Sequence, residues 1–200
     1  MRHIKYFIIT FIILFIGCAS QNNLIISYTQ QNNLEMIKKL LEKDIDINKV
    51  DDHGKNALMY ASENNNIDIM KLLIKNEADV NSNCKPNPKG VSTREALSLI
   101  GIVGRTPIFF ATQKGNLDAV KLLAENGAKL EEKASKGQNI LMFASQIGQT
   151  EIVRFLIESG VDVTDITFSG IGAIDFAIKG GHKEIIKLLK AAGAEPNPNL

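Results

Sequence analysis

The residue types that most often carry chemistry are few and scattered in this chain. Its 200 residues hold three histidines and two cysteines. His53 and His182 lie far apart along the chain, and no cysteine or acid stands at metal-ligand spacing around either. No Gly-x-Ser-x-Gly, His-Glu-x-x-His or phosphate-loop pattern is written into it. Gly101-Ile102-Val103-Gly104 is a loop with two glycines and nothing more. Cys84 has no histidine nearby to act as its base. The acids are spread as helix-surface partners of lysine rather than paired. The expectation is a protein with no catalytic residue, no metal and no cofactor.

Cys18 is the one residue with a defined chemical context. Met1-Arg2-His3-Ile4-Lys5 is a basic start, Phe7 to Ile16 is an apolar run, and Gly17-Cys18-Ala19-Ser20 are small. This order reads as a signal peptide over residues 1–17. As a helix, the run spans under about 20 Å, short of a roughly 30 Å hydrocarbon core. Phe15-Ile16-Gly17-Cys18 resembles a bacterial lipobox, with Phe15 where Leu is usual. The resemblance implies lipidation of Cys18 and an extracytoplasmic, membrane-anchored lipoprotein, with a plainly secreted or periplasmic protein as the alternative. Residues 18–23 would then be a short tether. Its five residues after Cys18 reach at most about 17 Å, so the protein would sit close to the bilayer. Arg2 and Lys5 leave with the signal and no acid does, so the net charge passes from +1 to −1. A near-neutral chain with interspersed charges offers no case for nucleic acid.

The elements that must position any functional residue are set by a repeat. Gly104, Gly137 and Gly170 each open a phrase ending at Ala111, Ala144 and Ala177, at 33-residue spacing. Gly54 to Ala61 is a fourth copy, 50 residues upstream of the Gly104 phrase, which is one period plus 17. Within a unit, Thr106 is a good N-cap and Pro107 fits the first helical position. Gly115-Asn116 breaks that helix, and Leu117, Val120, Leu123 and Ala124 mark a second amphipathic one. Such a period means stacked helical hairpins. Tyr60, Phe110, Phe143 and Phe176 recur at one position of every unit, which points to packing between units.

Gly104-Arg105-Thr106-Pro107-Ile108-Phe109-Phe110-Ala111 resembles the Gly-x-Thr-Pro-Leu-His-x-Ala signature of ankyrin repeats. Glu77-Ala78-Asp79-Val80-Asn81 and Gly160-Val161-Asp162-Val163 are similar to the family's terminal segment. The resemblance implies an all-α solenoid of about five helix-turn-helix units with short β-hairpin fingers and one inserted loop and helix. The repeat domain spans 24–194, with units at about 21–53, 54–81, 104–136, 137–169 and 170–194, an insertion at 82–103 and a tail at 195–200. The first unit, Leu24-Ile25-Ile26-Ser27-Tyr28 with Leu34 to Leu41, is degenerate and suits an end cap. The family's His is replaced by Met59, Phe109, Met142 and Asp175, so apolar packing must take over its role.

The resemblance also implies where a partner would bind. Fingers and the first helices form a cupped face, to which the second unit offers Val50, Asp52, His53, Lys55, Glu63 and Asn64. The third offers Arg105, Gln113 and Lys114, and the fourth Lys133, Ser135, Lys136, Gln138, Gln146 and Ile147. The fifth offers Ile166, Phe168, Ser169, Ile171 and Lys179. For Ile166 and Phe168 two readings stand: contact with a protein partner, or a finger folded onto its own helices. In the insertion, Ser92-Thr93-Arg94-Glu95 reads as a capping box and predicts a helix from about Thr93 to Ile100. That segment contributes to binding or is a surface excursion.

These readings lead to a monomeric, non-enzymatic protein-interaction module on the outer side of a bacterial membrane, with an unidentified protein partner. Two alternatives remain: a protective or inhibitory partner of a periplasmic enzyme or toxin, and small-molecule binding in the groove near the insertion.

Overall fold

The computed structural model describes residues 24–43, 45–85, 104–134 and 137–198. Ten helices follow in five pairs: α1 Leu24–Gln30, α2 Leu34–Leu41, α3 Ala57–Glu63, α4 Ile67–Lys75, α5 Pro107–Lys114, α6 Leu117–Glu125, α7 Ile140–Ile147, α8 Thr150–Glu158, α9 Ala173–Gly180 and α10 Lys183–Ala191. The odd-numbered helices stack side by side in one layer and the even-numbered ones in a second. Each helix is two to three turns long and could not hold its shape alone. Its apolar stripe is buried by its partner and by the adjacent pairs. The signal, Cys18, the tether, Lys136 and the helix predicted over Thr93 to Ile100 lie outside the described residues.

The starts of the odd helices follow from their cap residues. Asn56 Oδ1 accepts from the Met59 N–H at 2.9 Å, and Asn139 Oδ1 from the Met142 N–H at 3.0 Å. Thr106 makes no such side-chain bond, and Pro107 at the first position leaves one fewer N–H to satisfy. At α9 the cap is Gly172, so the bond runs the other way, from the Gly172 N–H to Asp175 Oδ2 at 2.9 Å. Ala61, Ala111, Ala144 and Ala177 are fully buried between the odd helices, where a larger side chain would push units apart.

Three of the positions where the family's His is missing are packed: Met59, Phe109 and Met142 are buried, and the Phe109 and Phe143 rings lie 5.7 Å apart. The fourth, Asp175, is buried and its carboxyl oxygens accept from two backbone N–H donors instead, one from the C-terminal tail.

The fingers are tight turns rather than β-hairpin ladders. The same two backbone bonds close each one: Asp51 to Lys55 and Gly54 to Asp51, Ala134 to Gln138 and Gly137 to Ala134, Thr167 to Ile171 and Gly170 to Thr167. Among the described residues one antiparallel bridge, Ile166 with Gly172, is all the β-structure present. The second finger keeps this pair of bonds across the long insertion, from Cys84 to Arg105 at 2.8 Å and Gly104 to Cys84 at 2.9 Å. The extra 17 residues therefore enter at the tip, between Cys84 and Gly104. Ser82, Asn83 and Cys84 keep the course of an ordinary finger.

Candidate functional site

The cupped face is built from three rows of side chains contributed by successive units. The residue after each leading glycine forms the first row: Lys55, Arg105, Gln138 and Ile171. Eight residues on, near the end of each odd helix, stand Glu63, Gln113, Gln146 and Lys179. Tyr60, Phe110, Phe143 and Phe176 lie between them.

The first two rows are stitched within each unit. Lys55 Nζ donates to Glu63 Oε2 at 2.6 Å, Arg105 Nη1 to Gln113 Oε1 at 3.3 Å, and Gln138 Nε2 to Gln146 Oε1 at 2.7 Å. The cations also reach forward to the next unit. Lys55 Nζ lies 4.4 Å from the Phe110 ring centre and the Arg105 guanidinium 4.4 Å from that of Phe143. A cation over an aromatic face is attracted by the ring's quadrupole, so each long side chain ties two repeats together.

Around Lys55 the contacts are dense. Its ammonium also lies 4.8 Å from the Tyr60 ring centre, and Lys114 approaches the other oxygen of Glu63 at 3.6 Å. The Lys55 and Glu63 side chains are only 14% and 20% exposed, so this pair is shielded rather than a loose surface contact. The Tyr60 hydroxyl donates to Asp51 Oδ2 at 2.6 Å. Burial, then the bond to Asp51, holds that hydroxyl well above the ordinary tyrosine range. Beneath lies a small apolar cluster of Met59, Phe110 and Cys84. The Cys84 thiol is fully buried, donates to the His53 carbonyl at 3.4 Å, and is pushed up to about 11 by burial, with the Lys55 charge pulling the other way. A protonated, enclosed thiol is a poor nucleophile.

The predicted binding residues thus divide. Lys55 and Arg105 form links between repeats, and Gln113 and Gln146 are the exposed within-unit partners of Arg105 and Gln138. Val50 is half-buried, while Asp52 and His53 are exposed at the first finger. Lys133 is not a free tip: its ammonium donates to Asp165 Oδ1 at 2.6 Å and to the Ile166 carbonyl at 3.0 Å, joining two fingers. Phe168 is 82% exposed, yet its ring lies close to Gly137 of the preceding finger. A Cβ on Gly137 would come within 3.0 Å of Phe168 Cγ, and Gly137 also has φ of 72°, so both space and conformation require glycine there. Ile166 is 51% exposed. Of the recurring aromatics, Phe110 and Phe143 are core, while Tyr60 and Phe176 are half-buried.

The fifth unit breaks the stitching. Ile171 cannot hydrogen-bond to Lys179, and Lys179 has neither ion pair nor hydrogen bond among the described residues. Ile178 is 47% exposed beside it. The tail returns across this unit: the Asn197 N–H donates to Asp175 Oδ1 at 2.8 Å, and its side-chain amide to the Gly170 carbonyl at 3.0 Å. Ile171, Phe176, Ile178, Lys179, Pro196 and Asn197 line the groove between α9 and the tail. The sequence reading missed this closure, because Asp175 and Asn197 lie 22 residues apart and belong to no shared motif.

A family model described as ankyrin repeats in three copies matches residues 5–84, 87–167 and 109–199. The chain belongs to the ankyrin repeat family, whose members generally act as protein-protein interaction modules and typically as non-enzymatic scaffolds. A comparison with curated proteins returns no match. No helix of the described residues is long and apolar enough to cross a membrane.

Proposed function

We propose that this chain is a non-enzymatic module displayed on the extracytoplasmic side of a bacterial membrane, held there by lipid on Cys18. It presents its stitched face to a protein partner. The observation that carries the interaction reading is the face itself. Polar and apolar side chains recur in register along successive units; in three of these units they are bonded in pairs, and Lys55 and Arg105 also reach the ring of the next unit. Side chains already held in place lose little freedom when a partner docks, which favours affinity. The membrane reading is supported by the basic start, the apolar run and the small residues around Cys18.

Two measurements test it. Intact-mass analysis of the mature protein is expected to show an acylated Cys18 as the first residue, and Cys18→Ser to move the protein out of the membrane fraction. Retention of residues 1–17 in the mature chain, or unchanged membrane association of Cys18→Ser, would overturn the anchoring. Crosslinking in the native envelope is expected to capture a partner in fixed stoichiometry. Its absence would overturn the interaction role.

A further inference from the structure

Three of the palm units close on themselves, and the fifth unit does not. From the second unit to the fourth, the first-row and second-row side chains bond each other. Their chemistry changes steadily along the stack, from a Lys–Glu ion pair through Arg–Gln to Gln–Gln. In the fifth unit the pair is Ile171 and Lys179, which have no bond to make. The ammonium is left in solvent beside exposed apolar surface from Ile178 and half-buried Phe176. The tail supplies the other wall, with Pro196 and Asn197.

We propose that this groove is the anchor point for the protein partner and takes a large apolar side chain lying next to an acidic residue of a partner segment. The assignment rests on the interaction reading above and names the chemistry of that partner. The walls are apolar, so displacing water from them favours a large aliphatic or aromatic side chain. The charge at the rim is a cation with no partner among the described residues, which an adjacent carboxylate would complement. The acid in the groove wall, Asp175, does little against an incoming anion. Its two oxygens are held by the Gly172 and Asn197 N–H groups at 2.9 and 2.8 Å. The other palm cations are poorer candidates. Glu63 engages Lys55 and Lys114, and Arg105 is half-buried against Phe143.

The test is selection of a random phage-displayed dodecapeptide library on the full chain, followed by affinity measurement on variants. The expected peptides carry a large apolar residue next to Asp or Glu. They should bind Lys179→Glu at least about tenfold more weakly, because attraction becomes like-charge repulsion. Lys179→Gln should weaken binding by about three- to fivefold, as for loss of one exposed charge pair. Ile178→Asn should weaken it comparably while Gln113→Ala does not. Lys179 and Ile178 are exposed, so thermal melts of their variants are expected to match the parent. Enriched peptides without an acid, binding indifferent to Lys179 and Ile178, or no enrichment would overturn the assignment. So would self-association of the chain that Lys179→Glu abolishes, since the occupant would then be a second copy. The broader interaction reading fails by a different result, the absence of any stoichiometric complex in the native envelope.

Discussion

The junction of the second and third repeats and the open side of the fifth use the same positions for opposite ends. At the junction, Lys55 is held by Glu63, Tyr60 and Phe110, above an apolar cluster that includes Cys84. At the fifth unit, Pro196 and Asn197 of the tail lie beside α9, and Ile171 and Lys179 stand where a stitched pair would be. The difference teaches that a position in a repeat has no fixed role. Whether a cation holds the stack together or remains available depends on what the next unit places over it.

Four measurements would break or sharpen this contrast. The largest effect is expected from its aromatic row. Phe110→Ala should destabilise the protein by about 3–5 kcal/mol in urea titration, as for a fully buried ring. Phe176→Ala, half-buried beside the tail, should lose less than half of that. Equal losses would mean that the tail covers Phe176 as completely as a repeat would. Next, Asp175→Ala leaves the Gly172 and Asn197 N–H groups without their acceptor and should lower stability by about 1–3 kcal/mol. Hydrogen exchange at Asn197 should quicken, and unchanged exchange would show that the tail is held by other contacts.

A smaller term is the coupling of Lys55 to Glu63. A double-mutant cycle to Ala should give about 1 kcal/mol, at the upper end for exposed pairs because this one is shielded. The same cycle on Ile171 and Lys179 should give nothing measurable. The fourth effect is invisible at neutral pH. The Cys84 thiol titrates from 9.0 in an ordinary setting and near 11 in the folded protein. Between these values the folded state holds the proton and the unfolded chain loses it. Stability therefore falls as pH rises from about 9 to about 11. Tyr60, shifted in the same direction, adds to the fall above about pH 10. Urea midpoints at pH 7, 9 and 10 should show a shallower decline in Cys84→Ala. Parallel declines would assign the effect elsewhere.

Much of this architecture could be read from the chain. The 33-residue spacing and the apolar periodicity located the five helix pairs, because burial of a helical stripe leaves its period in the sequence. Asn56 and Asn139 cap their helices by equally local bonds, to the N–H three residues on. The site was less so. Lys133 was offered to a partner because its own partner Asp165 is 32 residues away, yet that separation is nearly one repeat, which places the two on neighbouring fingers. The tail on Asp175 carried no comparable signal, since Pro196 and Pro198 announce only that a helix cannot continue. Counting residues revealed an excess of 17 between the second and third units, but only the backbone bonds at Cys84 and Gly104 placed it.

That closure at Cys84 and Gly104 makes the second finger a natural splice point. The two bonds defining the turn form before the added chain begins, so helices on either side need not register its length. By loop-closure statistics, joining these ends across 20 residues rather than three costs only about 1.7 kcal/mol. Segments of other lengths and compositions should be exchangeable there. The stack would then serve as a chassis whose cargo at this tip could change without reworking the repeats beneath.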